Sequence, residues 1–149
     1  MAEYLTWANR RLLEEYEIEE PPADPALVRD GLAAYRPPHA LVLLAESGAR
    51  AVAVGALRRH VGGVAEVKRM YVRPEARREG IGAAMLDRLL EEAGAMDVET
   101  LRLDTCRFMT GAQRLYRSRG FVEREPYDES EIPPRLRHHW LFFERRLEA

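Results

Sequence analysis

The stretch from Val64 to Leu86 admits few local structures. Val64–Val72 is rich in residues that favour strands, and Arg73-Pro74 breaks the run. Arg77-Arg78-Glu79-Gly80-Ile81-Gly82 then carries two spaced glycines, after which Ile81, Met85, Leu86, Leu89, Leu90 and Ala93 recur at helical spacing until Gly94. The segment reads as a strand, a short basic loop and a helix. The first N–H groups of a helix have no internal partner, and the helix dipole adds partial positive charge there. Gly80 and Gly82 let a ligand approach the backbone closely, and Arg77 and Arg78 add forked cationic donors that suit phosphate oxygens. A ligand bearing a phosphate or diphosphate is expected at this loop, with its other end near the preceding strand.

Two familiar phosphate loops do not fit. A P-loop needs Gly-Lys-Ser or Gly-Lys-Thr, and Gly82 is followed by Ala83-Ala84. A dinucleotide fingerprint needs a third small residue three positions after its second glycine, where this chain has Met85. The pattern Arg77-Arg78-Glu79-Gly80-Ile81-Gly82 resembles instead the acetyl-coenzyme A loop of the GNAT acetyltransferase superfamily. The surroundings strengthen the resemblance. Lys68-Arg69-Met70-Tyr71-Val72-Arg73-Pro74-Glu75 is similar to the family's strand and turn before the loop. Leu103-Asp104-Thr105 and Ala112-Gln113-Arg114-Leu115-Tyr116, leading to Gly120-Phe121, are similar to its later strand and helix. There are departures: Arg78 stands where Gly is common, Glu79 puts a carboxylate beside the expected diphosphate, and Met109 stands where many members carry an Asn that contacts the pantetheine arm.

The chain of 149 residues suits one domain with one core, 1–149. A net charge of −2 over many charges of both signs disfavours a nucleic-acid or membrane surface. Cys106 is the only cysteine, so no intrachain disulfide can form, and no signal peptide or long apolar segment is visible. A soluble, cytoplasmic protein is expected, with no metal: His138-His139 has no partner at ligand spacing.

Along the chain, Leu5, Ala8, Leu12, Leu13 and Tyr16 share a helical face before Pro21-Pro22. Asp24-Pro25 opens a second helix, lined by Leu27, Val28, Leu32 and Tyr35 and ended by Pro37-Pro38. Ala40–Ala45 and Arg50–Leu57 form an antiparallel pair about Ser47-Gly48, and Gly62-Gly63 turns the chain into Val64–Val72. Alternation puts Glu66 and Lys68 on one face of that strand and Arg69 on the other, so the strand must line a cleft or be paired. Thr100–Thr105 is the next strand. Thr110 and Gln113 suit a capping box for a helix that ends at Gly120. Phe121–Arg124 and Trp140–Arg146 are the final strands, joined by an acidic loop containing Asp128, Glu129 and Glu131. The resemblance implies an α/β fold: a mixed, mostly antiparallel sheet with a splayed parallel pair and helices on both faces. Members often begin with a strand, and none is evident here.

The resemblance also implies the chemistry, amine acetylation by direct attack on acetyl-CoA. The backbone of Met70, Tyr71 and Val72 would hold the pantetheine arm and offer an oxyanion donor, and Arg77, Arg78, Glu79, Gly80, Ile81, Gly82 and Ala83 the diphosphate. Glu66 stands eleven residues before Arg77, the offset of the base glutamate in some members. Partial burial would fit it to draw a proton from an amine that is mostly protonated at neutral pH. It equally suits a structural pairing with Lys68 or Arg58. Tyr116 occupies the position of a tyrosine that protonates the leaving thiolate in many members, and also suits the core. Tyr127 borders the substrate pocket in some relatives. A non-catalytic acyl-CoA-binding sensor would share the loop without needing Glu66 or Tyr116. The partner is a small-molecule or peptide amine whose identity is not readable. Homodimers are common in the family, but no interface is evident in the sequence.

Overall fold

The computed structural model describes residues 1–148. Two helices, α1 (Ala2–Tyr16) and α2 (Pro25–Ala33), precede the strands β1 (Ala40–Ser47), β2 (Arg50–Arg59) and β3 (Val64–Val72). A short 3-10 turn over Pro74–Ala76 leads to α3 (Ile81–Ala95), followed by β4 (Thr100–Cys106), α4 (Thr110–Ser118), β5 (Val122–Arg124) and β6 (Trp140–Arg146). The six strands form one sheet in the order β1-β2-β3-β4-β6-β5. Only β3 and β4 run parallel, because the connection between them is the crossover helix α3.

Alternation along the strands makes two apolar layers. On one face Leu57, Ala65, Leu101, Leu103 and Phe143 pack against Leu86 and Leu89 of α3 and Tyr116 of α4, all of them buried. Burial of a leucine contributes about 1.5–3 kcal/mol, so Leu86 and Leu89 alone anchor α3 firmly. Gly55 of β2 makes the close approach possible: a Cβ there would stand 2.9 Å from Leu89 Cδ1. On the other face Leu12 of α1 meets Cys106, Tyr127, Leu136, Trp140 and Phe142. This second layer is thinner, and α2 buries no residue at all.

Several sequence expectations change. Leu13 is exposed, because α1 contacts the sheet along a narrow seam through Leu12. Asp24 does cap α2, its Oδ1 accepting from the Ala26 N–H at 2.8 Å. The capping box at Thr110 does not form: Met109 holds the cap position, and Gln113 turns inward to donate to the carbonyls of Cys106 and Arg107 at 3.2 and 2.9 Å. The Cys106 carbonyl is a buried acceptor, a stronger demand than a helix end open to water. α3 runs past Gly94 to Ala95, and the left-handed residue after it is Asp97, φ 53°. Phe121 precedes β5 and is buried against Tyr116.

Candidate active site

The site begins as a gap between strands. β3 and β4 pair only from Val64–Glu66 to Thr100–Arg102. Beyond that point β3 stays with β2 and β4 stays with β6. The β4-facing edge of β3 after Glu66 therefore has no strand partner among the described residues. Arg69, φ 57°, sits where the β2–β3 register shifts, with Val54 opposite Tyr71 but Ala56 opposite Lys68. This is a β-bulge, which bends a strand and raises its twist.

The bulge also resets the alternation. Glu66 and Lys68 face the α1 side, and so does Tyr71, whose ring lies against Tyr4 and Trp7 at centroid distances of 5.2 and 6.0 Å. Met70 and Val72 turn to the α3 layer. Arg69 is thus not opposed to Lys68 as simple alternation requires. Both side chains line one cavity, and both approach Glu131, at 4.0 and 3.1 Å.

That cavity, of about 380 Å³, fills the gap between the splayed strands. Its walls are Val67–Met70 of β3 and Leu103–Cys106 of β4, with Met109 and Tyr116 from α4 and its approach. α1 roofs it through Tyr4, Leu5, Ala8 and Leu12, and Glu131 to Pro133 close one side. A second cavity of about 320 Å³ between α1 and α2 shares Leu5, Asn9, Glu20 and Arg69 with it, so the two adjoin.

At the far end of β3 the loop turns into α3. Arg78 and Gly80 both take left-handed φ values, 66° and 79°, on either side of exposed Glu79. Gly80 is the cap residue, and no side chain caps the helix, so its first amides are bare. A Cβ on Gly80 would meet nothing within 4 Å, which leaves that side open to a ligand. Gly82 faces Val72 and Leu115 at ordinary contact distance. Arg77 is partly committed: its Nε donates to the Val72 carbonyl at 2.9 Å, and its guanidinium lies over Trp7 and Tyr71. This ties the loop to the end of β3, while Arg77 and Arg78 both remain exposed.

Glu66 is 1 % exposed and does not line the cavity. Its Oε1 accepts from Tyr127 Oη at 3.0 Å and from Lys68 Nζ at 3.3 Å, and its Oε2 lies 3.2 Å from His60 Nε2. Tyr127 is buried, and burial first, then Asp104 and Glu66, drive its phenol far above the ordinary range. Of the two partners the sequence offered to Glu66, Lys68 is the one used, and Arg58 pairs with Glu131. Burial works against the Lys68 ammonium, but Glu66, Asp104 and Glu131 outweigh it and raise its pKa.

Tyr116 does reach the cavity. Its ring packs on Phe121 and Phe143, and burial, with Tyr4 and Asp104 nearby, raises its pKa, so the phenol holds its proton. Cys106 is buried, its thiol pushed up to about 12 by burial and by Asp104, so it is a packed thiol rather than a nucleophile. His139 stacks on Tyr16, and no group among the described residues is placed to hold a metal ion.

Sequence reasoning passed over Asp104. It lines the cavity two residues beyond the last β3–β4 pair and takes one hydrogen bond, from Ser130 Oγ at 3.3 Å. Burial pushes its carboxyl up to about 6, with Lys68 opposing and Glu66 and Glu131 adding. The available signal was a carboxylate between Leu103 and Thr105 in a strand whose neighbours are buried.

The open cap of α3 and the unpaired edge of β3 suit a ligand with phosphates at one end and an extended, amide-bearing arm. Comparison with known proteins agrees with this shape. The Acetyltransferase (GNAT) family profile matches residues 2–121. An uncharacterized N-acetyltransferase of Schizosaccharomyces pombe is 34% identical over 102 residues, 66% of this chain and 62% of its own length, so the match spans less than two thirds of that relative. A GNAT-family acetyltransferase of Staphylococcus aureus superposes with a TM-score of 0.75 at 20% identity, covering 99% of this chain and 93% of that one. A Bacillus subtilis acetyltransferase solved with CoA gives 0.65 at 16% identity, over 84% and 85% of the two chains. The profile covers all but the last two strands of the sheet, and the Staphylococcus aureus structure superposes over 99% of the chain: this chain belongs to the GNAT acetyltransferase family.

Proposed function

We propose that the protein is an N-acetyltransferase that moves an acetyl group from acetyl-CoA to a primary amine by direct attack, without an acyl-enzyme. One observation carries the reading: the unpaired edge of β3 leads from the bare N-terminus of α3 into the cavity that holds Tyr116. When bound, acetyl-CoA supplies the acetyl group as an activated thioester.

The amides from Arg78 to Ala83, with Arg77 and Arg78, hold the diphosphate by the helix-terminus effect. Glu79 points a carboxylate to solvent beside them and weakens the site slightly. Backbone groups of Met70, Tyr71 and Val72 pair with the pantetheine arm as a sheet edge pairs with an added strand. The amide of Met70 or Tyr71, next to the bulge, stabilises the negative charge that develops on the carbonyl oxygen. Met109 flanks the arm, and its sulfur accepts a hydrogen bond from Thr105 Oγ1 at 3.5 Å. Tyr116 donates its proton to the departing sulfur. The acceptor enters over α1 and α2, whose few buried contacts allow that roof to vary.

The test is thiol release from acetyl-CoA across a panel of primary amines, alongside calorimetric CoA binding. CoA release that depends on the amine supports the reading. Binding without release across the panel would identify a ligand-binding module instead, and absence of CoA binding would overturn the site as well.

A further inference from the structure

We infer that Asp104 is the carboxylate that binds the acceptor's ammonium group and takes its proton, so that the acceptor is a cationic amine. The inference rests on the proposed transfer reaction and adds the residue that prepares its nucleophile.

The geometry favours Asp104 over Glu66. The two strands start in register at Glu66 and Arg102, so Lys68 and Asp104 are the next residues on that face, opposed across the opening gap. Lys68 is already held by Glu66 and Glu131. Asp104 has one neutral partner, Ser130, and its carboxylate lines the cavity with Tyr116. Glu66 has both oxygens engaged and no cavity surface. A base must come within hydrogen-bond reach of the proton it removes, and of these two Asp104 does so without dismantling the wall; Glu131, also on the cavity, is tied to Arg58, Lys68 and Arg69, and Glu20 lines the part shared with the α1–α2 cavity.

The groups facing Asp104 are Lys68 and Glu66 from β3, Ser130, Tyr127 and Glu131 from the long loop, Cys106 from its own strand, Tyr4 from α1 and Tyr116 from α4. Burial in this setting raises its carboxyl to about 6, well placed to be ionised at neutral pH and still accept a proton. Two protons leave the nitrogen in all. Asp104 takes the first from the ammonium. The neutral nitrogen then bonds to the acyl carbon as the carbon–sulfur bond breaks, with its electron pair going to sulfur. The second nitrogen proton passes through solvent to the Tyr116 phenolate, which has given its own proton to sulfur, and Asp104 releases the first proton to solvent.

The experiment compares wild type, Asp104→Asn, Asp104→Glu and Glu66→Gln in kcat against pH at saturating acetyl-CoA, with n-butylamine and spermidine as acceptors. Asp104→Asn should lower kcat by about 100-fold or more and abolish the acidic limb, which the bound ammonium places below the free-protein value of about 6, with CoA affinity unchanged. Asp104→Glu should restore part of the rate, and Glu66→Gln should keep the limb. A readout independent of turnover is the Asp104 carboxyl signal in a ¹³C NMR titration of the protein alone, which n-butylammonium should shift to lower pKa. An active enzyme whose limb survives Asp104→Asn would overturn the inference and leave the transferase reading standing. If no amine releases CoA, the transferase reading fails, and an Asp104 signal indifferent to n-butylammonium would overturn the inference too.

Discussion

Replacing Glu66 by Gln separates a structural carboxylate from a catalytic one. The substitution keeps shape and removes charge. Glu66 Oε1 receives hydrogen bonds from Tyr127 and Lys68, and Oε2 faces His60. A hydrogen bond to a charged group contributes about 1.5–3 kcal/mol and a neutral one about 0.5–1.5, so two weakened bonds on Oε1 cost roughly 2 kcal/mol. Lys68 keeps Glu131 at 3.1 Å, which holds the loss below the roughly 3–5 kcal/mol of a buried charge left alone. Glu66→Ala removes every bond and should reach that upper range. For a chain of this size about 2 kcal/mol lowers the melting temperature by roughly 4–8 °C. Urea titration and thermal unfolding at pH 7.5 measure it. The shape of the kcat–pH profile should remain, because the wall keeps its cavity side. A Gln variant as stable as wild type but lacking the acidic limb would refute this reasoning and make Glu66 the base.

Three further outcomes follow from the same geometry. Tyr116→Phe removes only the hydroxyl from a ring held by Phe121 and Phe143, so folding should be preserved while kcat falls at least about tenfold, measured by thiol release. Gly80→Ala places a Cβ at φ 79° and should cost about 1–2 kcal/mol of strain; CoA affinity by calorimetry should fall, whereas Gly82→Ala, meeting Val72 at 3.7 Å, should be near neutral in stability. Asp104 also shapes stability against pH. Its folded carboxyl is raised to about 6 from an ordinary 3.8, so its protonated form favours the fold fully below about pH 4, and this contribution is lost as pH rises through about 6. Asp104→Asn should therefore gain roughly 2–3 kcal/mol on wild type by pH 7, with the difference closing near pH 4 in urea titrations.

What the sequence exposed was the part of the site built from backbone. A strand, two glycines and a helix start at Ile81 are local, and Gly80 needs its left-handed φ whatever surrounds it. Periodicity likewise predicted the α3 face, because Leu86 and Leu89 repeat at helical spacing against a continuous sheet. The bulge at Arg69 was hidden, since a single inserted residue leaves no mark on a short strand and yet reverses every later side chain. The capping box failed for another reason: Gln113 matched a local pattern, but the carbonyls of Cys106 and Arg107, seven and six residues earlier, claimed it. Tyr127 and Glu66 are 61 positions apart, so nothing local signals that bond.

The choice between the two carboxylates turns on this distinction. Glu66 was selected by its distance along the chain from the loop, a measure that holds only while the strand stays regular. The structure spends that residue on a buried junction of β3 with the long loop, through Tyr127 and Lys68, and the same junction pins Glu131 at the cavity rim. Because Lys68 is neutralised there, Asp104 across the gap is left as a carboxylate without a bonded cation. A positively charged amine is the natural complement to such a group, and an apolar or anionic acceptor is not. The buried network thus bears on the reaction indirectly: Glu66 and Glu131 hold Lys68, which leaves Asp104 on the cavity wall with the Ser130 hydroxyl as its bonded partner among the described residues.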